Sequence, residues 1–247
     1  MDKLIYTAMT GAAQVLNQQA VVSENLANAS TPGFRAALST FRAVPLVGEG
    51  LPTRTFVVDS TPGSDFTPSV IYQTGRALDV ALPGAGWLAV QGPDGKEAYT
   101  RNGSFQVTPE GVLQTRSGLN VVGDGGPITI PPDTEVTIAK DGTISTVPGG
   151  TGATSVVVAG RLKLVNPAPE QLERGGDGLF RLKDGSTAPV DANVGVVSGS
   201  LENSNVNTVE AIVNMISLAR KFDMQMKMLQ TADNNARQAS QVMSLTG

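Results

Sequence analysis

The two ends of this chain resemble each other and differ from everything between them. Residues 1–31 and about 207–247 are poor in Gly and Pro, whereas the intervening span is dense in Gly, Pro and Asp-Gly pairs. The ends therefore read as amphipathic helices and the middle as short strands joined by tight turns. A chain whose helical ends enclose a β insert must bring its termini together or lend them to neighbours. That organisation suits a building block of an assembly better than an enzyme.

In the N-terminal segment, Ile5, Ala8, Ala12, Val15, Leu16, Val22 and Leu26 recur at steps of one helical face. A helix of about 26 residues would be ~39 Å long. Its stripe is dominated by small side chains, so a partner helix can approach closely. It reads either as the core helix of an ordinary domain or as one that becomes stable on packing with other chains. Pro32 stops it, because proline disfavours helical geometry at Thr31 and lacks an N–H, and Gly33 permits a sharp change of direction.

At the other end, Asn207 is placed as an N-cap with Glu210 in the capping-box position. The predicted stripe of the following helix is Val209, Ile212, Val213, Ile216, Ala219, Phe222, Met226, Leu229, Ala232, Ala236, Ala239 and Met243, with steps close to a heptad average. Met224, Met226 and Met228 suit either core filling or adaptable packing against several partners.

Between the ends, Asp94-Gly95, Asp124-Gly125, Asp141-Gly142, Asp177-Gly178, Asp184-Gly185 and Asn102-Gly103 mark hairpin turns. Short apolar or alternating runs lie between them, at 78–82, 87–90, 104–108, 112–115, 128–130, 136–139, 143–146, 156–158, 162–165 and 179–182. They predict an antiparallel sandwich or barrel-like domain. The predicted fold class is thus mainly β with long terminal α-helices. The predicted domains are a terminal helical domain from 1–35 and 205–247, an extended linker over 36–75 with a strand near 55–58, and a β-rich domain over 76–204.

Composition narrows the chemistry. The 247 residues include neither His nor Cys, which removes Ser-His-Asp and Cys-His nucleophilic sites, disulfides and the usual zinc sites. A net charge of −4 without a basic block argues against nucleic acid, and no apolar run approaches the ~18 residues of a membrane span. Met1 to Tyr6 lacks the basic start and apolar core of a signal peptide. Gly84-x-Gly86-x-x-Ala89 loosely matches a dinucleotide fingerprint, but no helix is predicted after it to receive a pyrophosphate. Neither a catalytic residue nor a cofactor or metal ligand is expected.

The junction from Ser23 to Arg35 reads SENLANASTPGFR. It resembles the Asn-Leu-Ala-Asn-x-x-Thr-x-Gly-Phe-(Lys/Arg) box of bacterial flagellar rod and hook proteins. Leu78 to Leu82 followed by Gly86-Trp87, Tyr99-Thr100-Arg101-Asn102-Gly103-Ser104-Phe105, and Leu201-Glu202-Asn203-Ser204-Asn205-Val206-Asn207 are similar to three further stretches of that family. The opening MDKLIYTAM, with Pro32 before the box Gly, is most like the proximal-rod branch. A distal-rod or hook-type axial protein is the alternative.

The resemblance implies that the terminal helices pair as a coiled-coil domain lining an axial tube, with the β domain outside. It implies partners among other rod proteins and copies of the same chain, and transit through the flagellar type III export apparatus without signal cleavage. The location implied is the periplasmic rod of the basal body. The assembly interface expected on this basis takes in Ile5, Ala8, Ala12, Val15, Val22, Leu26, Asn25, Asn28, Pro32, Gly33, Phe34, Val209, Ile212, Ile216, Ala219, Phe222, Met226 and Leu229. Asn25 and Asn28 would fix the exit of the first helix, although Asn28 serves equally well as a simple helix cap. Pro32, Gly33 and Phe34 would set and anchor the turn.

Overall fold

The computed structural model describes residues 2–45, 55–148 and 156–245. The chain divides into two compact units. One, the helical unit, comprises Met1–Ala29, Ala36–Asp65 and Val206–Gly247. The other, the β unit, comprises Ser30–Arg35 and Phe66–Asn205.

In the helical unit, α1 spans Asp2–Ala27 and α2 spans Thr208–Leu245. Asn207 caps α2 as expected: its Oδ1 accepts the backbone N–H groups of Val209 at 3.1 Å and Glu210 at 3.2 Å. The two helices pack against one another. On α1 the covered positions are Ile5, Ala8, Ala12, Val15, Gln19, Val22 and Leu26; on α2 they are Ala211, Met215, Leu218, Phe222, Gln225, Leu229, Ala232 and Ala236. Both sets alternate steps of three and four, the spacing that keeps one seam facing a partner. Gly11 leaves the notch that receives Gln225, since a Cβ there would stand 3.2 Å from the Gln225 Nε2.

The stripe predicted for α2 is only partly the covered one. Phe222, Leu229, Ala232 and Ala236 belong to both, but Val209, Ile212, Val213, Ile216, Ala219 and Met226 are exposed. The helix is apolar on two sides, and at 3.6 residues per turn positions 209, 213 and 216 stand roughly opposite 211, 215 and 218. Ala239 and Met243 lie within α2 with their side chains outside the described part.

Residues 36–75, predicted as extended linker, are largely strand. β1 (Ala37–Pro45) pairs antiparallel with β2 (Thr55–Ser64), from Ala37 opposite Ser64 to Pro45 opposite Thr55. Exposed and partly buried residues nearly alternate along β1, so half its side chains turn toward the unit and half toward solvent. Its Ser, Thr and Arg content hid this pattern. Residues 46–54 lie outside the described part.

The β unit is antiparallel throughout its paired strands. Its largest sheet has five strands in the spatial order Leu164–Val165, Trp87–Gln91, Glu97–Thr100, Phe180–Leu182 and Leu172–Arg174. A three-stranded sheet joins Thr134–Ile138, Thr143–Pro148 and Val157–Arg161. Short pairs complete it, including Ile71–Gln73 with Ser200–Glu202. Most of the predicted runs hold strands, but 128–130 contributes only an isolated bridge at Thr129, and Glu97–Thr100 was not predicted. The main core gathers Leu82, Leu88, Phe105, Leu113, Ile144, Leu162 and Leu164. A second core stacks Phe66, Trp87 and Phe180, with Trp87 and Phe180 ring centres 4.6 Å apart. The fingerprint-like Gly84–Ala89 runs straight into the strand Trp87–Gln91, so the absence of a helix predicted there is observed.

The Asp-Gly turns work through their carboxylates as well as their glycines. Asp141 accepts the Thr143 N–H at 3.1 Å, Asp177 that of Leu179 at 3.1 Å, and Asp184 that of Ser186 at 2.9 Å. Asn102-Gly103 departs from the expectation. Gly103 is required there because a Cβ would overlap the Val80 carbonyl oxygen, not because of a hairpin with positive φ.

These turn bonds lower carboxylate pKa values: at Asp141 through the Thr143 hydroxyl and N–H, at Asp177 through Arg181, and at Asp184 through Ser186. A depressed folded-state pKa adds stability above the ordinary carboxylate value of 3.8 that is lost as pH falls through the lower folded value. Thermal unfolding of the β unit should therefore be flat from pH 7 to 5 and drop progressively below about pH 4. An Asp141→Asn/Asp184→Asn variant should start lower and lose less on acidification.

Candidate assembly interface

The expected interface residues separate into three groups. Ala8, Ala12 and Val15 are buried, and Ile5, Val22, Leu26, Phe222 and Leu229 partly so, all on the seams where α1 and α2 pack within one chain. These stripes pack against each other within the single chain. The second group is free surface. Val209 is 69% exposed, Val213 59%, Ile216 51% and Ile212 48%, a contiguous apolar face on the first turns of α2. Ala219 and Met226 are also exposed, as are Tyr6, Met9 and Leu16 on α1. Contiguous apolar residues exposed on a folded surface are where interaction sites are commonly found.

The third group is the junction. Asn25 is spent inside the helical unit: its Nδ2 donates to the Ala37 carbonyl at 2.9 Å and its Oδ1 accepts the Ala37 N–H at 2.8 Å. The amide thus imitates a strand and ties the end of α1 to the start of β1. Asn28 Nδ2 donates back to the Glu24 carbonyl at 3.0 Å, the capping role. Pro32, Gly33 and Phe34 belong to the β unit. Gly33 adopts φ +68° and is buried, and a Cβ there would overlap the Arg101 backbone. The Phe34 ring carries the Arg174 guanidinium 4.6 Å from its centre.

Beside Gly33 stands an arrangement of charges that the sequence reading did not single out. Glu202 is 1% exposed and lies between two arginines, Arg35 at 2% and Arg101 at 3%. Arg35 Nη2 donates to Glu202 Oε1 at 2.8 Å, and Arg101 Nε donates to Oε2 at 2.6 Å. Further donors of both arginines are engaged around them. Arg35 Nη1 reaches the Thr67 carbonyl at 2.6 Å, and Arg101 reaches the Gly86 and Leu82 carbonyls at 2.7 and 2.8 Å. The Ser69 N–H adds a further bond to Glu202 Oε1 at 2.9 Å, and the Gly33 N–H bonds the Glu202 carbonyl at 2.8 Å. Such a cluster holds three buried charges only because nearly every lone pair and proton has an assigned partner.

The family model for "Flagella basal body rod protein" matches residues 5–35, that for "Flagellar hook protein FlgE/F/G D1 domain" matches 81–146, and that for "Flagellar basal body rod FlgEFG protein C-terminal" matches 197–242. The flagellar basal-body rod protein FlgF of Escherichia coli K12 is 53% identical, with all of both chains covered, and that of Salmonella typhimurium is 52% identical over the same extent. The chain belongs to the flagellar basal-body rod protein family. The rod protein FlgG of Buchnera aphidicola from Acyrthosiphon pisum is 33% identical, with 93% of this chain covered. As a rod-family member of the FlgF type, the chain is a structural subunit and not an enzyme.

Each of the three matched regions supplies one member of the buried cluster: Arg35, Arg101 and Glu202. Motifs separated by up to 167 residues are thereby one structural element. The available signal was a charged residue at a fixed place in each family-like stretch, but sequence does not say which charges meet. Gly33→Ala combines a strained φ with a backbone overlap. It should lower stability by about 3 kcal/mol or more in denaturant titration, whereas Gly118→Ala, strained but with open space beside it, should cost far less.

Proposed function

We infer that the chain is a subunit of the proximal rod, and that it polymerises with other rod proteins and with copies of itself through its terminal helices. The exposed face Val209, Ile212, Val213 and Ile216 carries this reading, since it lies on a helix whose opposite side is already occupied by α1. Alternating three- and four-residue steps on both covered seams support a coiled-coil pairing of α1 with α2 as the preformed element. Assembly then covers the outer face.

In this reading the helical unit forms the inner wall of a drive shaft that transmits torque and encloses an export channel. The β unit lies outside and supplies lateral contacts. The subunit travels through the flagellar type III export apparatus and takes its place in the periplasmic part of the basal body. Among the described residues no helix is long and apolar enough to cross a membrane. The proximal rod is favoured over the distal rod because two FlgF relatives match at 53% and 52% over both full lengths, whereas the FlgG relative from Buchnera aphidicola matches at 33%.

An Ile212→Asp/Ile216→Asp variant places two carboxylates on the outer face, where their burial between chains is costly. It should keep its circular dichroism spectrum and its export, yet leave a strain lacking the native gene non-motile. Leu218→Asp, on the inner face, should instead lower helicity in the isolated chain. Restored swimming by the Ile212→Asp/Ile216→Asp variant would contradict the outer-face assignment.

A further inference from the structure

The chain passes between its two units four times, at 29/30, 35/36, 65/66 and 205/206. On the β-unit side every passage is fastened within a few residues to one place. The first passage is held by the Gly33 N–H on the Glu202 carbonyl, and the second by Arg35 on the Glu202 carboxylate. The third is held by Arg35 on the Thr67 carbonyl and by the Ser69 N–H on Glu202. At the fourth, the Asn205 N–H bonds the Phe34 carbonyl at 3.3 Å and Asn205 Nδ2 bonds the Thr67 carbonyl at 3.3 Å. Arg101 anchors the whole group to the interior, because its guanidinium also bonds the Leu82 and Gly86 carbonyls beside the core strand Trp87–Gln91.

A force applied at the second or third passage is therefore borne by charge-assisted bonds in a buried site, which are stronger than neutral ones, while the first and fourth passages are held beside them by neutral bonds to the Glu202, Phe34 and Thr67 carbonyls. The two arginines also repel each other if Glu202 is lost, so the carboxylate is the one group whose removal turns attraction into expulsion. We propose that Glu202 is the centre of a force-carrying clamp, by which the β unit holds all four chain passages against the mechanical load of a rotating shaft. Arg35 and Arg101 are the positioning residues, one on the passages and one on the core. The proposal rests on the rod reading for the load it meets.

The test uses the isolated full chain, so that it can fail independently of that reading. The sequence has no Cys, so Ala36→Cys and Val206→Cys give two unique handles beside the second and fourth passages. Held at constant force in optical tweezers, the chain with Glu202→Gln should show a lifetime of the first rupture at least tenfold shorter than the chain with Glu202 intact. Lys163→Met breaks the Lys163–Glu97 pair, 2.8 Å long and part of the β unit but remote in sequence from every passage, and should leave that lifetime unchanged. Should Glu202→Gln fail to fold, Arg35→Lys keeps the charge but loses the fork that spans Thr67 and Glu202, and should also shorten the lifetime. Equal lifetimes with and without the Glu202 or Arg35 change, or an equal loss from Lys163→Met, would overturn the proposal.

Discussion

One carboxylate shared by two guanidinium groups organises the β unit. Taking each of these ions out of water costs several kcal/mol, and their mutual attraction offsets that only with good geometry and full hydrogen bonding. Glu202 pairs directly with both guanidinium groups, and the surplus positive charge is turned largely onto the carbonyls of Thr67, Leu82 and Gly86. Apolar residues of the same volume could give equal stability. They would not be as selective, because any other segment placed beside Arg101 would leave a buried charge unpaired. The residues concerned are 66 and 101 positions apart along the chain. The cluster joins segments distant in sequence, and the turn at Gly33 and the short pair Ile71–Gln73 with Ser200–Glu202 lie beside it.

The helical unit solves a different problem. α2 holds α1 on one side and exposes apolar side chains on the other. A helix that does both is apolar over most of its circumference in its first turns, and its amphipathic signal is weak as a result. Small residues stand at 8, 12 and 211, and the polar Gln225 over Gly11 joins Gln19 in a seam that is otherwise largely apolar. Polar residues in such a seam cost stability and can set register.

That two-sidedness explains where the sequence was legible. The existence and extent of both helices, the cap at Asn207 and the antiparallel β middle could be read, because each rests on local chemistry: period, capping oxygen, Asp-Gly turns. Which side of α2 faces inward could not, since Val209, Ile212 and Ile216 satisfy the same spacing rule as Ala211, Met215 and Leu218. β1 was missed and β2 was read only over 55–58, because Thr40, Arg42, Asp59 and Pro62 dilute the alternation, and their pairing is what makes them strands. The Arg35–Glu202–Arg101 contact is invisible to any local rule. Each member sits in a recognisable stretch, and only the fold joins them.

Trp87 is the sole tryptophan of the chain and stacks with Phe66 and Phe180 inside the β unit. Indole emission thus originates from one unit alone, while the far-ultraviolet helical signal originates almost wholly from the other. The two folding events carry separate optical labels without any added fluorophore. A shift of the emission maximum that precedes or trails the loss of ellipticity would reveal directly whether the units melt together or one after the other.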